Sequence, residues 1–193
     1  MKTPRKYTMS VRADGVRQTR TRILEAALSV ASAKPLAALT LADVAGEAGV
    51  SAQTVLRQFE SREGLLDAAA EYGASQVEEE RVTVPGDLDH ALATLIAHYE
   101  LRGEGVLALL AQERWDERAR EITGNGRSLH RRWVADAFAP QLAGHPDRES
   151  LLDLLVVATD VYTWKLLRLD RRLSRARTHD RMARLVRAVL EGD

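Results

Sequence analysis

From Val16 onward the apolar positions fall into a helical rhythm. Ile23, Leu24, Ala27, Leu28, Val30 and Ala31 recur at three-to-four-residue spacing, the stripe that a helix buries against a core. Pro35 ends it, because proline cannot donate the next backbone hydrogen bond. Thr40 has the character of an N-cap, with Asp43 three residues on in the capping-box position, and Ser51 and Ser61 repeat the N-cap signal. The spacing predicts short helices over 41–47 and 52–58 and a longer one over 62–80. "RVTVPGD" (81–87) breaks the pattern. Its Val-Thr-Val has strand character but no partner of similar kind, so it reads as a linker. Apolar-periodic segments follow around 88–102, 104–112, 116–139, 148–170 and 178–191. Gly103, Gly105, "GNG" (124–126), "APQLAGHPD" (139–147) and "LSRARTH" (173–179) punctuate them. "GNG" can either interrupt a helix or weaken one, and a kinked continuous helix is expected over 116–139. With no strand pattern or internal repeat, the prediction is an all-α chain with a small N-terminal unit and a larger helical body.

Composition narrows what such a chain can do. Its 193 residues, 45% of them hydrophobic, suffice for a good core in one unit or two. The absence of cysteine excludes disulfides, thiolate metal sites and a cysteine nucleophile, and agrees with a reducing cytoplasm. No uninterrupted apolar stretch approaches the ~20 residues of a membrane span. The basic N-terminus lacks the apolar segment of a signal peptide. A cytoplasmic protein without a membrane partner is therefore expected. The net charge of zero hides an asymmetry. In residues 1–34, Lys2, Arg5, Lys6, Arg12, Arg17, Arg20, Arg22 and Lys34 stand against only Asp14 and Glu25, so the remainder is correspondingly acidic. Residues 1–15, rich in charge and without apolar periodicity, read as a flexible basic arm. Either an anionic partner at this end or a solvated tail accounts for it.

In "TLADVAGEAGVSAQTVLRQF", Leu41, Val44, Ala45 and Ala48 share one face of the first short helix. Gly49 can take the left-handed conformation that a sharp interhelical turn needs, Val50 fills the angle, and Ser51 caps the next helix. Val55, Leu56 and Phe59 can face the core, leaving Ala52, Gln53, Thr54 and Arg57 outside. That is a helix-turn-helix, with a second helix narrow enough for a DNA major groove. An ordinary corner between two helices has the same pattern. The cationic arm beside it favours DNA.

The run "TRILEAALSVASAKPLAALTLADVAGEAGVSAQTVLRQFESREGLLDAAAEY" resembles the tetracycline-repressor (TetR) family of bacterial transcription regulators, continuously over about residues 17–72. The resemblance implies a three-helix DNA-binding domain over 16–62, a connecting helix over 63–80, and a ligand-sensing and dimerising body over 81–193. "GRSLHRRWV" and the closing "LSRARTHDRMARLVRAVLEG" are similar in layout to that body. The family's DNA contacts fall on Thr40 and Ser51 at helix starts, on Ala52, Gln53, Thr54 and Arg57 facing bases, and on Gln58 and Arg62 at the backbone. Thr40, with the positive end of its helix, would meet a phosphate. Gln pairs with adenine, Arg with guanine, and Ala or the Thr methyl touches thymine. Two positions depart from the family pattern. Leu56 stands where most members have a phosphate-binding Tyr, and Pro35 replaces a Gly after the first helix.

The body offers less chemistry. Asp87 and His90 have a chelating i, i+3 spacing, but a helical di-iron site needs two Glu-x-x-His pairs and further glutamates, which are lacking. No metal, cofactor or catalytic residue is expected. "EEE" (78–80) reads as a solvated face. His98, Trp115, His130, Trp133 and Trp164 are the candidates for lining an effector pocket. The segment from Leu151 to Leu169 is apolar around more than one face, which suits burial both by its own core and by a second copy. Met182, Leu185, Val186, Val189 and Leu190 suit the same seam. The expectation is a homodimeric repressor that binds palindromic double-stranded DNA and is released by a small-molecule effector. The alternatives are a DNA-binding protein without an effector and, less in keeping with the residues, a helical enzyme.

Overall fold

The computed structural model describes the backbone of residues 5–192 and the side chains of residues 14–192. Among these every regular element is a helix. The chain divides after Ala74 into two compact units.

In the first unit α1 spans Arg5–Ala33. The helical backbone begins at Arg5, well before the apolar stripe, because periodicity detects only a helix with a face to bury. Arg, Lys, Met and Ala carry helix propensity without one. Of the expected flexible arm, residues 1–4 lie outside the described residues, and Arg5 onward is helix. Pro35 (φ −56°, ψ 140°) opens a 3-10 turn over Leu36–Ala38, in which the Ala38 N–H donates to the Pro35 carbonyl at 2.9 Å. The proline thus builds the turn with its preset φ.

Helix α2 (Leu41–Ala48) starts with the predicted capping box. The Asp43 N–H donates to Thr40 Oγ1 at 3.2 Å and the Thr40 N–H donates to the Asp43 carboxylate at 2.8 Å. Gly49 (φ 62°, ψ 38°) ends it, and the Val50 N–H closes back onto the Ala45 carbonyl at 2.9 Å. Helix α3 (Ala52–Phe59) is capped by Ser51, whose Oγ accepts from the Thr54 N–H at 3.2 Å. It stops at Glu60, a non-glycine at φ 65°, where the Ser61 N–H donates to the Phe59 carbonyl at 2.7 Å. This three-residue turn is strained. Helix α4 (Arg62–Glu80) can follow so closely only because Gly64 lacks a Cβ, which would lie 2.3 Å from the Phe59 carbonyl oxygen. Ile23, Leu39, Val44, Val55 and Leu65 are fully buried, each contributing about 1.5–3 kcal/mol. Two arginines of α1 tie the short helices to it. Arg22 Nε donates to the Ala48 carbonyl at 2.9 Å. Arg20 Nη1 donates to the Gln58 carbonyl at 3.1 Å, with its guanidinium 4.3 Å above the Phe59 ring.

The second unit holds the end of α4, α5 (Leu88–Leu110), α6 (Glu117–Ala137), the single turn α7 (Ala139–Leu142), α8 (Arg148–Thr159), α9 (Val161–Lys165) and α10 (Arg175–Glu191). The Val-Thr-Val of the linker forms no strand. The expected helices over 88–102 and 104–112 are one. Gly103 does not break α5 but admits Trp164, whose Cζ3 would lie 2.5 Å from a Cβ there. Helix α6 runs unbroken through "GNG". The segment expected as one helix over 148–170 is divided at Asp160, whose extended backbone (φ −68°, ψ 153°) interrupts α8 and whose carboxylate caps α9 by accepting the Tyr162 N–H at 2.8 Å. A π-turn over Leu166–Asp170 follows. Apolar residues continue across Asp160 on both sides, which is why periodicity does not register the break.

Leu155 and Val186, assigned by sequence to the seam between copies, are fully buried in the unit's own core with Phe138 and Leu142. The apolar surplus lies elsewhere. Leu154, Val157, Tyr162, Leu166 and Leu185 are 42–63% exposed. No helix among the described residues is long and apolar enough to cross a membrane.

Candidate functional site

Helix α3 turns Val55 and Phe59 inward and leaves Ala52, Gln53, Leu56 and Arg57 on its outer face, with Thr54 and Gln58 half-buried at its flanks. Leu56, expected among the core residues, is 41% exposed. At 100° per residue it follows Ala52 and Gln53 around the helix rather than Val55 and Phe59. Gln53 and Arg57, one helical turn apart, make no hydrogen bond or ion pair with the described residues. Their donors point outward and uncommitted.

Three other expected DNA contacts are engaged internally. The Thr40 hydroxyl donates to Asp43 Oδ2 at 2.6 Å, so its proton is not available to a phosphate. The Asp43 carboxylate already occupies the positive end of α2. Hydrogen bonds from Lys34 first, and then from Thr40, hold its pKa down at about 2. Ser51 Oγ lies 2.9 Å from Thr54 Oγ1 in addition to capping α3. Arg62 turns inward, where its Nε donates to the Leu39 carbonyl at 2.8 Å and its Nη2 to the Leu36 carbonyl. It locks the 3-10 turn to α4 rather than reaching for a backbone phosphate.

In the second unit the structure gathers His98, His130, Trp133 and Trp164 but not Trp115, which is 70% exposed beyond the end of α5. The centre of the group is a residue that the sequence did not single out, Arg81, only 6% exposed. Arg81 Nη1 lies 3.1 Å from His130 Nδ1, and His130 Nε2 lies 3.2 Å from Thr159 Oγ1. The Thr159 hydroxyl donates its one proton to the Leu155 carbonyl at 2.7 Å, so it accepts from His130. His130 is then the neutral Nε2–H tautomer, accepting from Arg81. Burial, and then the Arg81 charge, push its pKa down to about 3. His98 is lowered to about 4 by the same two causes, against the pull of Glu80, to which its Nδ1–H donates at 2.7 Å. Glu80 is not a solvated carboxylate. Burial opposes its ionisation, but bonds from Arg102 and His98 outweigh this and lower its pKa. Tyr99 donates to the Thr159 carbonyl at 2.9 Å, its phenol raised by burial, and Trp133 Nε1 donates to the Arg81 carbonyl at 2.7 Å. Trp164 packs behind Tyr99 with ring centroids 5.8 Å apart. Asp87, the possible chelator, caps α5 by accepting the His90 N–H at 3.0 Å.

Residues 23–69, from the core of α1 into α4, match the family model described as bacterial regulatory proteins, tetR family. The first unit is a TetR-family DNA-binding domain. With it the protein is a DNA-binding regulator of transcription. Solved structures share the fold over nearly the whole chain. A candidate TetR-family transcriptional regulator from Rhodococcus sp. aligns with TM-score 0.69 at 21% identity, covering 91% of this chain and 100% of its own. A transcriptional regulator from Rhodococcus sp. Rha1 gives 0.68 at 18% identity, covering 90% and 96%. A TetR-family regulator from Streptomyces coelicolor gives 0.66 at 18%, covering 92% and 84%. At these identities the likeness is one of fold. No curated protein matches the sequence.

In this TetR-family domain the side chains left unpaired on the outer face of α3 are Gln53 and Arg57, with Ala52 and Leu56 beside them. The capping-box signal that placed Thr40 at a helix start also named Asp43 as the acceptor of its backbone N–H, while the hydroxyl's bond to the same carboxylate shows only in the structure. The inward turn of Arg62 depends on carbonyls of the Pro35 turn and has no signature in sequence. Arg81 follows three glutamates and opens the linker, where an arginine reads as solvated. Only the packing of Tyr99 and Trp133 around it marks it out.

Proposed function

We propose that this TetR-family regulator is a cytoplasmic, non-enzymatic repressor that binds a palindromic operator as a homodimer and leaves it when a small molecule fills the second unit. The observation that carries the DNA reading is the outer face of α3, where Gln53 and Arg57 stand exposed and unpaired on a helix fixed by Arg20, Ser51 and Gly64. Each is a bidentate partner for a base edge, Gln for adenine and Arg for guanine. Base contacts give specificity, and residual positioning comes from backbone amides and the basic residues of α1.

The dimer reading is supported by Leu154, Val157, Tyr162 and Leu166 along α8, α9 and the turn after them, with Leu185 on α10. A self-complementary patch of this kind pairs about a two-fold axis. The two recognition helices would then meet half-sites about one DNA turn (~34 Å) apart. Effector and DNA bind antagonistically, so each weakens the other by the same factor.

Selection of bound sequences from a random DNA pool tests the reading. A two-fold symmetric site with fixed half-site spacing is expected. Asymmetric or unrelated sequences would overturn it. Val157→Asp and Leu166→Asp, both on exposed positions, should give folded monomers by light scattering with weakened operator binding. Dimers that persist in both variants would rule out this surface as the seam.

A further inference from the structure

We propose that the second unit binds a small organic monocarboxylate with an apolar or aromatic body, and that Arg81 is its counter-ion. This rests on the reading of that unit as an effector domain and names the class of effector.

A guanidinium withdrawn from water is costly unless a carboxylate or a full set of acceptors compensates it. Among the described residues Arg81 has neither. It forms no ion pair, and its Nε is buried without a hydrogen-bond partner. The nearby carboxylates are committed elsewhere. Glu80 is held by Arg102 and His98, and Asp160 caps α9. What faces the Arg81 guanidinium is neutral: the acceptor nitrogen of His130, and the rings of Tyr99 and Trp133 at 5.3 and 5.8 Å from its central carbon. Glu80 and Asp160 act on Arg81 only from a distance, so the guanidinium has no carboxylate in contact with it.

A cavity of about 220 Å³ opens beside it. Its apolar walls are Val77, Leu129 and Trp133, and Arg81 forms part of its lining. An apolar wall next to an unpaired guanidinium fits an amphipathic anion, with the carboxylate on the planar donor fork and the body along the indole. Size and charge limit the choice. The volume lies below the ~300 Å³ at which drug-sized pockets begin, which excludes nucleotides and long conjugates. The rim carries Glu78 and Asp136 against Arg132, all exposed, so a multiply charged anion would be repelled at the mouth. One negative charge is the best match.

The test uses the full chain and matched probes, benzoate against benzamide and hexanoate against hexanamide. Binding is measured by calorimetry and tryptophan emission, and operator affinity is measured separately. In the unaltered protein each acid should bind at least tenfold more tightly than its amide. Arg81→Met should abolish that preference, and Arg81→Lys should retain part of it. The acid-to-amide ratio in the unaltered protein stands whether or not the Arg81 variants fold. Equal binding of acids and amides, no binding of either acid at millimolar concentration, or an acid preference that survives in a folded Arg81→Met would overturn the proposal. Acids that bind through Arg81 yet leave operator affinity unchanged would uphold the anion site and overturn the effector reading. Release from DNA by the amides alone would do the reverse.

Discussion

Gly103 and Gly126 both lie inside helices, and the same substitution should act on them in opposite directions. Alanine in a helix interior is favoured over glycine by about 0.5–1 kcal/mol, because the unfolded chain loses freedom it would otherwise keep. At Gly126, on α6, a Cβ would meet nothing within 4 Å, so Gly126→Ala should collect that gain in full. At Gly103 the same Cβ would lie 2.5, 2.8 and 3.1 Å from three atoms of the Trp164 six-membered ring. The ring cannot easily give way. Trp164 is 2% exposed, its Nε1 donates to Glu100 at 3.1 Å, and it packs against Tyr99. Overpacking of this kind costs about 1–3 kcal/mol, and contact with a rigid ring belongs in the upper half of that range. Gly103→Ala should therefore be destabilising by about 1–2 kcal/mol after the propensity gain is subtracted. Urea unfolding followed by tryptophan emission is the suitable assay, since Trp115, Trp133 and Trp164 all belong to the second unit. The two midpoints should move to opposite sides of the parent. If Gly103→Ala were stabilised as much as Gly126→Ala, Trp164 would have room to move. It would then be the wall of an open cavity, as its place among the effector candidates first implied, and not a packed ring.

The other predictions concern reading, bracing and pH. Gln53→Ala and Arg57→Ala should each lose about 1–3 kcal/mol at particular base pairs and relax preference there, whereas Leu56→Tyr should strengthen all operators modestly without reordering them; binding to a graded operator set distinguishes the two behaviours. Arg62→Ala should lower the stability of the first unit by about 1–3 kcal/mol through the lost bonds to the Leu36 and Leu39 carbonyls. Its effect on the salt dependence of DNA binding should be nil, and a slope reduced by about 0.9 at unchanged stability would return Arg62 to the phosphate backbone. Because His98 and His130 are lowered from 6.5 to about 4 and about 3, the unfolded chain takes up their protons first. Their contribution is complete above pH 6.5 and declines as pH falls below it, so the second unit should unfold at lower urea at pH 5 than at pH 7, with a shallower slope in His130→Gln. Equal midpoints at both pH values would mean that the two histidines are not held neutral.

The first unit was largely legible because its elements are specified by neighbours in sequence. A capping box links Thr40 to Asp43, and Gly49 has the left-handed angle that its residue type allows. Both are local, so a one-dimensional pattern contains them. The exposed face of Leu56 was misread because three apolar residues in an eight-residue helix do not fix the phase; the burial of Phe59 under Arg20 does. In the second unit the helix breaks were misjudged in both directions. Gly103 has the look of a helix end but serves the approach of Trp164, sixty-one residues away. Asp160 has no look of a break, yet it divides α8 from α9.

The effector candidates were named by residue type, and the structure sorts them by what each one faces. Trp115 is in solvent and Trp164 is packed, while His130 and Trp133 surround Arg81. A histidine or tryptophan stands out in sequence because it is scarce. An arginine in a chain with so many of them does not, and its burial depends on α4, α5, α6 and the α8–α9 junction meeting at one point. The residue on which the proposed anion site turns is thus the one least visible beforehand. Its distinguishing property, a buried guanidinium with no carboxylate in contact, exists only after folding. The same reasoning separates it from Arg20, Arg22 and Arg62, whose guanidiniums are each closed off by backbone carbonyls. Those three hold the fold together. Arg81 keeps a buried Nε without a partner and forms part of the lining of a cavity, and an anion paired with its guanidinium would bind most tightly to the arrangement of helices that places it there.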